Sequence, residues 1–183
     1  MRVSVVGDFN AWDGRCHAMH RMPMSGIFEL FIPGVKAGDI YKYELKLKGN
    51  RIELKSDPYA ACTEVPPANA SVVTDTSTFQ WEDEIWMKER KKFSDRKQPI
   101  SIYETSLTEW KDATELADFV KKLNYTHVEL HPVMEYLDDE AGEYSTFAYY
   151  APTRRFGTPE DFQKVVNELH KAGIGLILDW TPS

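Results

Sequence analysis

His127, Glu129 and His131 occupy alternate positions of the 183-residue sequence, a spacing that turns all three to one face of a strand. Such a trio suggests metal ligation or proton transfer. His131 and Glu129, however, have no third ligand at a recognisable metal spacing, so a hydrogen-bonded structural network is the reading they support. Cys16 and Cys62 belong to no Cys-x-x-Cys or Cys/His pattern and read as two reduced structural thiols. No metal and no cofactor is expected. Aromatic chemistry remains: Phe, Trp and Tyr make up 13% of the chain, which leaves flat apolar surface for stacking on sugar rings. Trp12 sits in the loop Gly7-Asp8-Phe9-Asn10-Ala11-Trp12-Asp13-Gly14, where it either stacks on a ligand or caps the core of the domain that carries it. Tyr144 reads locally as an ordinary loop aromatic, Asp179 as an ion-paired strand end, and Lys42 as a solvated sheet residue.

The net charge of −7 repels polyanions, so neither nucleic acid nor an anionic membrane is an expected partner. The basic run from Lys88 to Lys92 is local and reads as a solvated face. No stretch reaches the roughly 18 apolar residues of a membrane span, and no signal-peptide pattern follows Met1, so a cytoplasmic location is expected. Nothing in the sequence sets an oligomeric state.

Two rhythms divide the chain. From Ile40 to Leu47 the residues Tyr41, Tyr43, Leu45 and Leu47 alternate with Lys42, Glu44 and Lys46, which predicts a strand with one wet side. Further short strands are expected at Val3 to Val6, Ile27 to Ile32, Arg51 to Lys55 and Ala70 to Val73, separated by Gly, Pro and Asn turns. They suggest a β-sandwich over residues 1–74, and a strand that starts at residue 2 suggests a sandwich cut at its beginning. Residues 75–98 are charged and read as a linker that packs through Trp81 and Trp86. From residue 99 the pattern becomes β-α-β-α-β. Ile100 to Glu104, His127 to His131 and Ile174 to Trp180 are strands, and the third is apolar enough for burial on both faces. Leu116, Phe119, Val120 and Leu123 share one helix face, as do Phe162, Val165, Val166 and Leu169. Thr158-Pro159-Glu160-Asp161 caps the second helix and Gly173 ends it. This order predicts a parallel sheet with right-handed crossovers, open or closed into a barrel. Val133 to Phe156 is expected to be a long functional loop.

Neither a G-x-G-x-x-G nor a Walker sequence favours nucleotides. The segment Val5 to Gly14 closely resembles the opening of the carbohydrate-binding module attached to glycogen-branching and related α-glucan enzymes. Other matching pieces follow in that family's order: Gly26-Ile27-Phe28-Glu29-Leu30, Lys55-Ser56-Asp57-Pro58-Tyr59-Ala60, Pro132-Val133-Met134-Glu135, Tyr150-Ala151-Pro152-Thr153-Arg154-Arg155-Phe156-Gly157, and Leu178-Asp179-Trp180-Thr181-Pro182. The chain is thereby identified as similar to the glycogen (1,4-α-glucan) branching enzymes of the α-amylase superfamily. The resemblance implies a multidomain fold. An all-β immunoglobulin-like sandwich would span 1–74, a linker 75–98, and the first β-α-β-α-β part of a (β/α)8 TIM barrel 99–183.

It also implies a retaining transfer of an α-1,4-glucan segment to a 6-hydroxyl, by a carboxylate nucleophile and an acid roughly 5–5.5 Å apart. In the family these carboxyl residues follow later barrel strands, beyond position 183, so the chain reads as a fragment that is inactive alone. Substrate-binding roles are implied for Tyr144, which would stack at the cleavage point, for Asp179, and for Trp12 and Lys42 in the module, with α-glucans as the partner. The family's Gly-Tyr-Gln is replaced here by Glu143-Tyr144-Ser145, and its Val-His-Leu-Gly-Ser-Trp by Thr105-Ser106-Leu107-Thr108-Glu109-Trp110, followed by a shorter segment. A non-catalytic α-glucan-binding protein, or a debranching or trehalose-releasing hydrolase, is the alternative.

Overall fold

The structure is a computed structural model that describes residues 1–92, 98–138 and 145–180. Its N-terminal part is built on strand β4 (Ile40–Lys46). β1 (Arg2–Gly7) runs antiparallel along one edge of β4, and β5 (Ile52–Lys55) and β6 (Ser71–Val72) share the other. A two-stranded ribbon of β2 (His20–Arg21) and β3 (Phe28–Glu29) stands beside this sheet. The strand expected from Ile27 to Ile32 is therefore only two residues long. Phe31 is 87% exposed, so alternation without a layer to cover it did not extend the strand.

β4 has no wet side. All seven of its residues are half-buried, because loops cover the face that carries Lys42 and Glu44. Glu44 pairs with Arg2 at 2.9 Å and lies against Gly14, where any Cβ would collide with its carboxylate. Long charged side chains thus serve as the filling of this layer through their stems and their paired ends.

The described residues 75–92 pack on the C-terminal part, but through one tryptophan. α1 (Glu84–Glu89) buries Trp86 face-on against His170, with ring centroids 5.0 Å apart. Asp83 meets His170 Nδ1 at 2.7 Å, and Lys171 Nζ donates to Glu82 at 2.8 Å. Trp81 stays exposed beside Phe79.

The C-terminal part is a parallel sheet in the order β7 (Ile102–Thr105), β8 (His127–Leu130), β11 (Gly175–Leu178). The crossover helices are α2 (Ala113–Lys122) and α3 (Pro159–Lys171). Asp112 caps α2 by accepting from Glu115 N at 2.9 Å, and at α3 the cap expected from Thr158-Pro159-Glu160-Asp161 is present, with Thr158 and Asp161 in a capping box and Pro159 in the first turn. Gly173 turns the chain after α3 with φ +81°, in the left-handed region where a side chain would be strained. Leu116 and Val120 of α2, Val128 and Leu130 of β8, and Leu169 of α3 form one buried cluster, so both helices cover the same face of the sheet.

The opposite face, which carries His127 and Glu129, is only half-covered among the described residues. β11 is accordingly not buried on both faces: Ile177, in register with Glu129 on that face, is only half-buried, and Leu178 at the strand's end is exposed. Phe119 and Leu123 are also exposed despite their helical spacing, since the apolar arc of α2 is wider than its contact. Phe119 is used instead against the rings of Tyr103 and Trp110.

The connection from Val133 to Phe156 is not a plain loop. β9 (Met134–Tyr136) and β10 (Thr146–Pro152) form an antiparallel ribbon with two register shifts. β10 alternates buried and partly covered residues along Thr146, Phe147, Ala148 and Tyr149, the period-two signal that marks a strand.

Candidate functional site

The site is assembled at the carboxyl end of the parallel sheet. Asp179 follows β11 directly, and its backbone N–H donates to Leu130 O at 3.0 Å, which continues the ladder one step past the strand. Its side chain is therefore delivered at the carboxyl rim, half-buried. Trp180 stacks on Tyr149 with centroids 5.5 Å apart and meets Tyr150 edge-on at 6.4 Å. Tyr150 in turn stacks on Tyr59 of the N-terminal part at 5.4 Å. Tyr59, Tyr150 and Trp180 are 74%, 58% and 49% exposed. Together the rings make a strip of aromatic surface that runs from the N-terminal part to the end of β11. Exposed contiguous aromatics of this kind make the strip a candidate binding surface.

Two groups hold the strip in place. The first is Asp57, which accepts Tyr59 N at 2.8 Å and the hydroxyls of Tyr41 and Tyr43 at 2.7 and 3.1 Å. Burial first, then the neighbouring Asp57 carboxylate, pushes the Tyr43 hydroxyl up to about 12, and the same causes raise Tyr41, so both remain donors.

The second is Glu135 at the centre of β9, fully buried at 0% exposure. It accepts from Arg155 Nη1 at 2.8 Å, Thr153 Oγ1 at 2.9 Å, Arg154 N at 2.7 Å and Thr63 Oγ1 at 3.3 Å. Arg155 also lies over the Tyr136 ring at 3.8 Å. Glu135 thus joins the ribbon, the turn after it and the N-terminal part. Its signal in the sequence was a lone carboxylate inside the apolar run Pro132-Val133-Met134-Glu135, a place where a charge persists only when paired.

Of the described residues singled out from sequence as sugar contacts, Asp179 lies on this rim. Tyr144 lies outside the described residues, as does Glu143. Trp12 is half-buried with φ +60°, and its Nε1 donates to Asp8 at 2.8 Å. Lys42 is not a freely solvated residue, because its ammonium donates to Asn69 Oδ1. Among the described residues no hydrogen bond or ion pair joins Trp12 or Lys42 to Asp179. His127 Nδ1 meets Thr126 Oγ1 at 2.8 Å, its ring packs on Gly175, and burial lowers its pKa. His131 Nε2 faces Glu104 at 3.4 Å. The described residues contain no group of three or more side chains that could hold a metal ion. The rim can stack on the apolar faces of a ring and accept hydroxyl hydrogens at a carboxylate.

Residues 76–182 match the family model described as the alpha amylase catalytic domain, and the chain belongs to that family. Residues 1–60 match carbohydrate-binding module 48, the isoamylase N-terminal domain. Among curated proteins, the chain is 45% identical over 194 residues to the 1,4-alpha-glucan branching enzyme GlgB of Nitrosococcus oceani, covering 99% of this chain and 26% of that protein. To GlgB of Cellvibrio japonicus it is 46% identical over 195 residues, 100% of this chain and 26% of that protein. The chain thus spans about a quarter of the length of the curated relatives it matches. An alpha-amylase candidate from Salmonella typhimurium superposes with TM-score 0.73 at 20% identity, over 98% of this chain and 29% of that one. The GBS pullulanase SAP, solved with maltotetraose, does so with TM-score 0.68 at 18% identity, over 97% of this chain and 30% of that one. These two likenesses establish a shared fold.

Proposed function

We propose that this chain is the N-terminal part of a 1,4-α-glucan branching enzyme and contributes α-glucan binding to it. The observation that carries the reading is identity of about 45% to branching enzymes along essentially the whole chain. The architecture supports it. Consecutive parallel strands β7, β8 and β11, with both helices on one face, fit the opening of a (β/α)8 barrel; a doubly wound sheet carries helices on both faces. Residues 1–74 are read as an immunoglobulin-like sandwich module, 75–98 as its connection and 99–183 as the start of the barrel. The protein is read as cytoplasmic.

In this reading the parent enzyme cleaves an α-1,4 chain, holds it as a glycosyl ester and passes it to a 6-hydroxyl of another chain. Asp179 and Tyr144 position the sugar at the carboxyl rim, the Tyr59, Tyr150 and Trp180 rings guide the chain, and Trp12 and Lys42 serve a separate contact in the module. Affinity electrophoresis in glycogen-containing gels tests it. The 183-residue chain should be retarded, Tyr150→Ala should weaken binding roughly three- to tenfold, the range of one aromatic contact, and incubation with amylose should yield no new α-1,6 branches. Unretarded migration of the folded chain, or branching by it alone, would overturn the reading.

A further inference from the structure

A second concavity lies beside the helices at the carboxyl end of the sheet, lined by the segment after β7, the turn after β10 and residues of α2 and α3. Its volume is about 790 Å³, and Leu116 of α2 and Val165 of α3 are among its lining residues. That volume falls in the range of small-molecule sites, roughly 300–1,000 Å³. Trp110, Tyr136 and Phe156 supply aromatic surface on its walls. Trp110 is fixed there, since its Nε1 donates to Thr105 Oγ1 at 2.9 Å and its ring packs on Phe119. The charged lining is balanced. Lys111, Arg155 and Lys164 face Asp112, Asp161 and Glu168, three cations against three carboxylates. Arg155 is paired with Glu135 and Lys164 with Asp161. Lys111 and Asp112 have no ion-pair partner among the described residues.

Such a lining presents many hydrogen-bond donors and acceptors with no net field. A phosphate or nucleotide would meet as much repulsion as attraction. A purely apolar ligand would desolvate six charged groups, of which Lys111 and Asp112 have no ion pair among the described residues while Glu168 pairs with Lys171 at 3.0 Å. A neutral polyol with apolar ring faces meets both demands, because its hydroxyls bridge the charged groups while its C–H faces cover the aromatics.

We propose that the cavity between α2 and α3 is a separate binding site for a short neutral oligosaccharide of two or three pyranose units. Its lining includes none of Trp12, Tyr59, Tyr150, Asp179 and Trp180, although it shares Arg155 with the Glu135 node. It deepens the glucan reading, on which the choice of maltotriose as ligand rests. The five tryptophans allow the sites to be told apart. In a ¹H–¹⁵N titration of the 183-residue chain with maltotriose, the Trp110 indole N–H resonance should shift and saturate. Trp12 and Trp180 report on the module and the rim in the same spectra.

Lys111→Ala with Glu168→Ala should weaken the Trp110 response about tenfold or more while the spectrum stays folded, the size expected for lost hydrogen bonds to charged groups. If Trp12 or Trp180 titrates and Trp110 does not, the cavity proposal falls and the glucan reading stands. If no indole responds to maltotriose, both fall. If inorganic phosphate moves Trp110 and maltotriose does not, the neutral-ligand assignment is wrong. An undiminished Trp110 response in the double variant likewise overturns the site.

Discussion

In the antiparallel sheet the buried apolar residues are small, among them Val3, Val5, Val6, Ala60 and Ala70, and Ser4, Thr63 and Ser71 are buried beside them. In the parallel sheet they are larger: Leu116, Leu130 and Leu169 are fully buried between helices and strands. The first region therefore has a thin core and many half-covered side chains, while the second has a dry one with an apolar stripe on each helix. The difference explains where the two are joined. The N-terminal part gains a buried polar contact at the seam, where Thr63 reaches Glu135, and a stacked aromatic contact where Tyr59 meets Tyr150. A region that cannot bury enough of its own apolar surface is stabilised by docking on one that can.

Breaking the seam should have the largest effect. Glu135→Ala removes a fully buried acceptor and leaves Arg155 without its 2.8 Å partner, so urea unfolding should show a loss of about 3–5 kcal/mol. A loss below about 1 kcal/mol would mean that the seam holds neither region. The cores come next. Leu130→Ala should cost about 2–5 kcal/mol, whereas Val6→Ala, two methyl groups in the thin core, should cost about 1.5 kcal/mol. Equal costs would remove the contrast drawn between the two sheets.

The smallest effect belongs to the α3 cap. Hydrogen bonds from the backbone and side chain of Thr158, then from Lys164, hold the Asp161 carboxyl at about 2, below its ordinary 3.8. A carboxyl depressed in the folded state stabilises above its unfolded pKa, and that contribution fades as pH falls from about 4 towards 2. Asp161→Asn should therefore be slightly less stable than the parent at pH 7, with the gap closing across that window. A gap that persists unchanged at pH 2 would show that ionisation of Asp161 contributes nothing.

Much of the architecture was readable from local pattern. The periodicity of α2 and α3, the Thr158-Pro159-Glu160-Asp161 cap and the β-α-β-α-β order are all written in neighbouring residues, because the forces that set them act over one or two turns. The colinear motifs likewise pointed to the family that the comparisons support. The β9 and β10 ribbon is legible in principle through the alternation in Thr146–Pro152, but β9, with three residues, is too short to show a period of its own.

What the chain alone could not specify is which distant groups meet. Thr63 and Glu135 are 72 residues apart, and His170 and Asp83 are 87 apart. Tyr59 reaches Tyr150 only because Asp57 fixes one ring and the ribbon carries the other. Periodicity reports whether a face is buried, and it is blind to what buries it. That choice belongs to the packing of several elements at once, which is why the rim aromatics, the Glu135 node and the cavity between the helices emerged only in three dimensions.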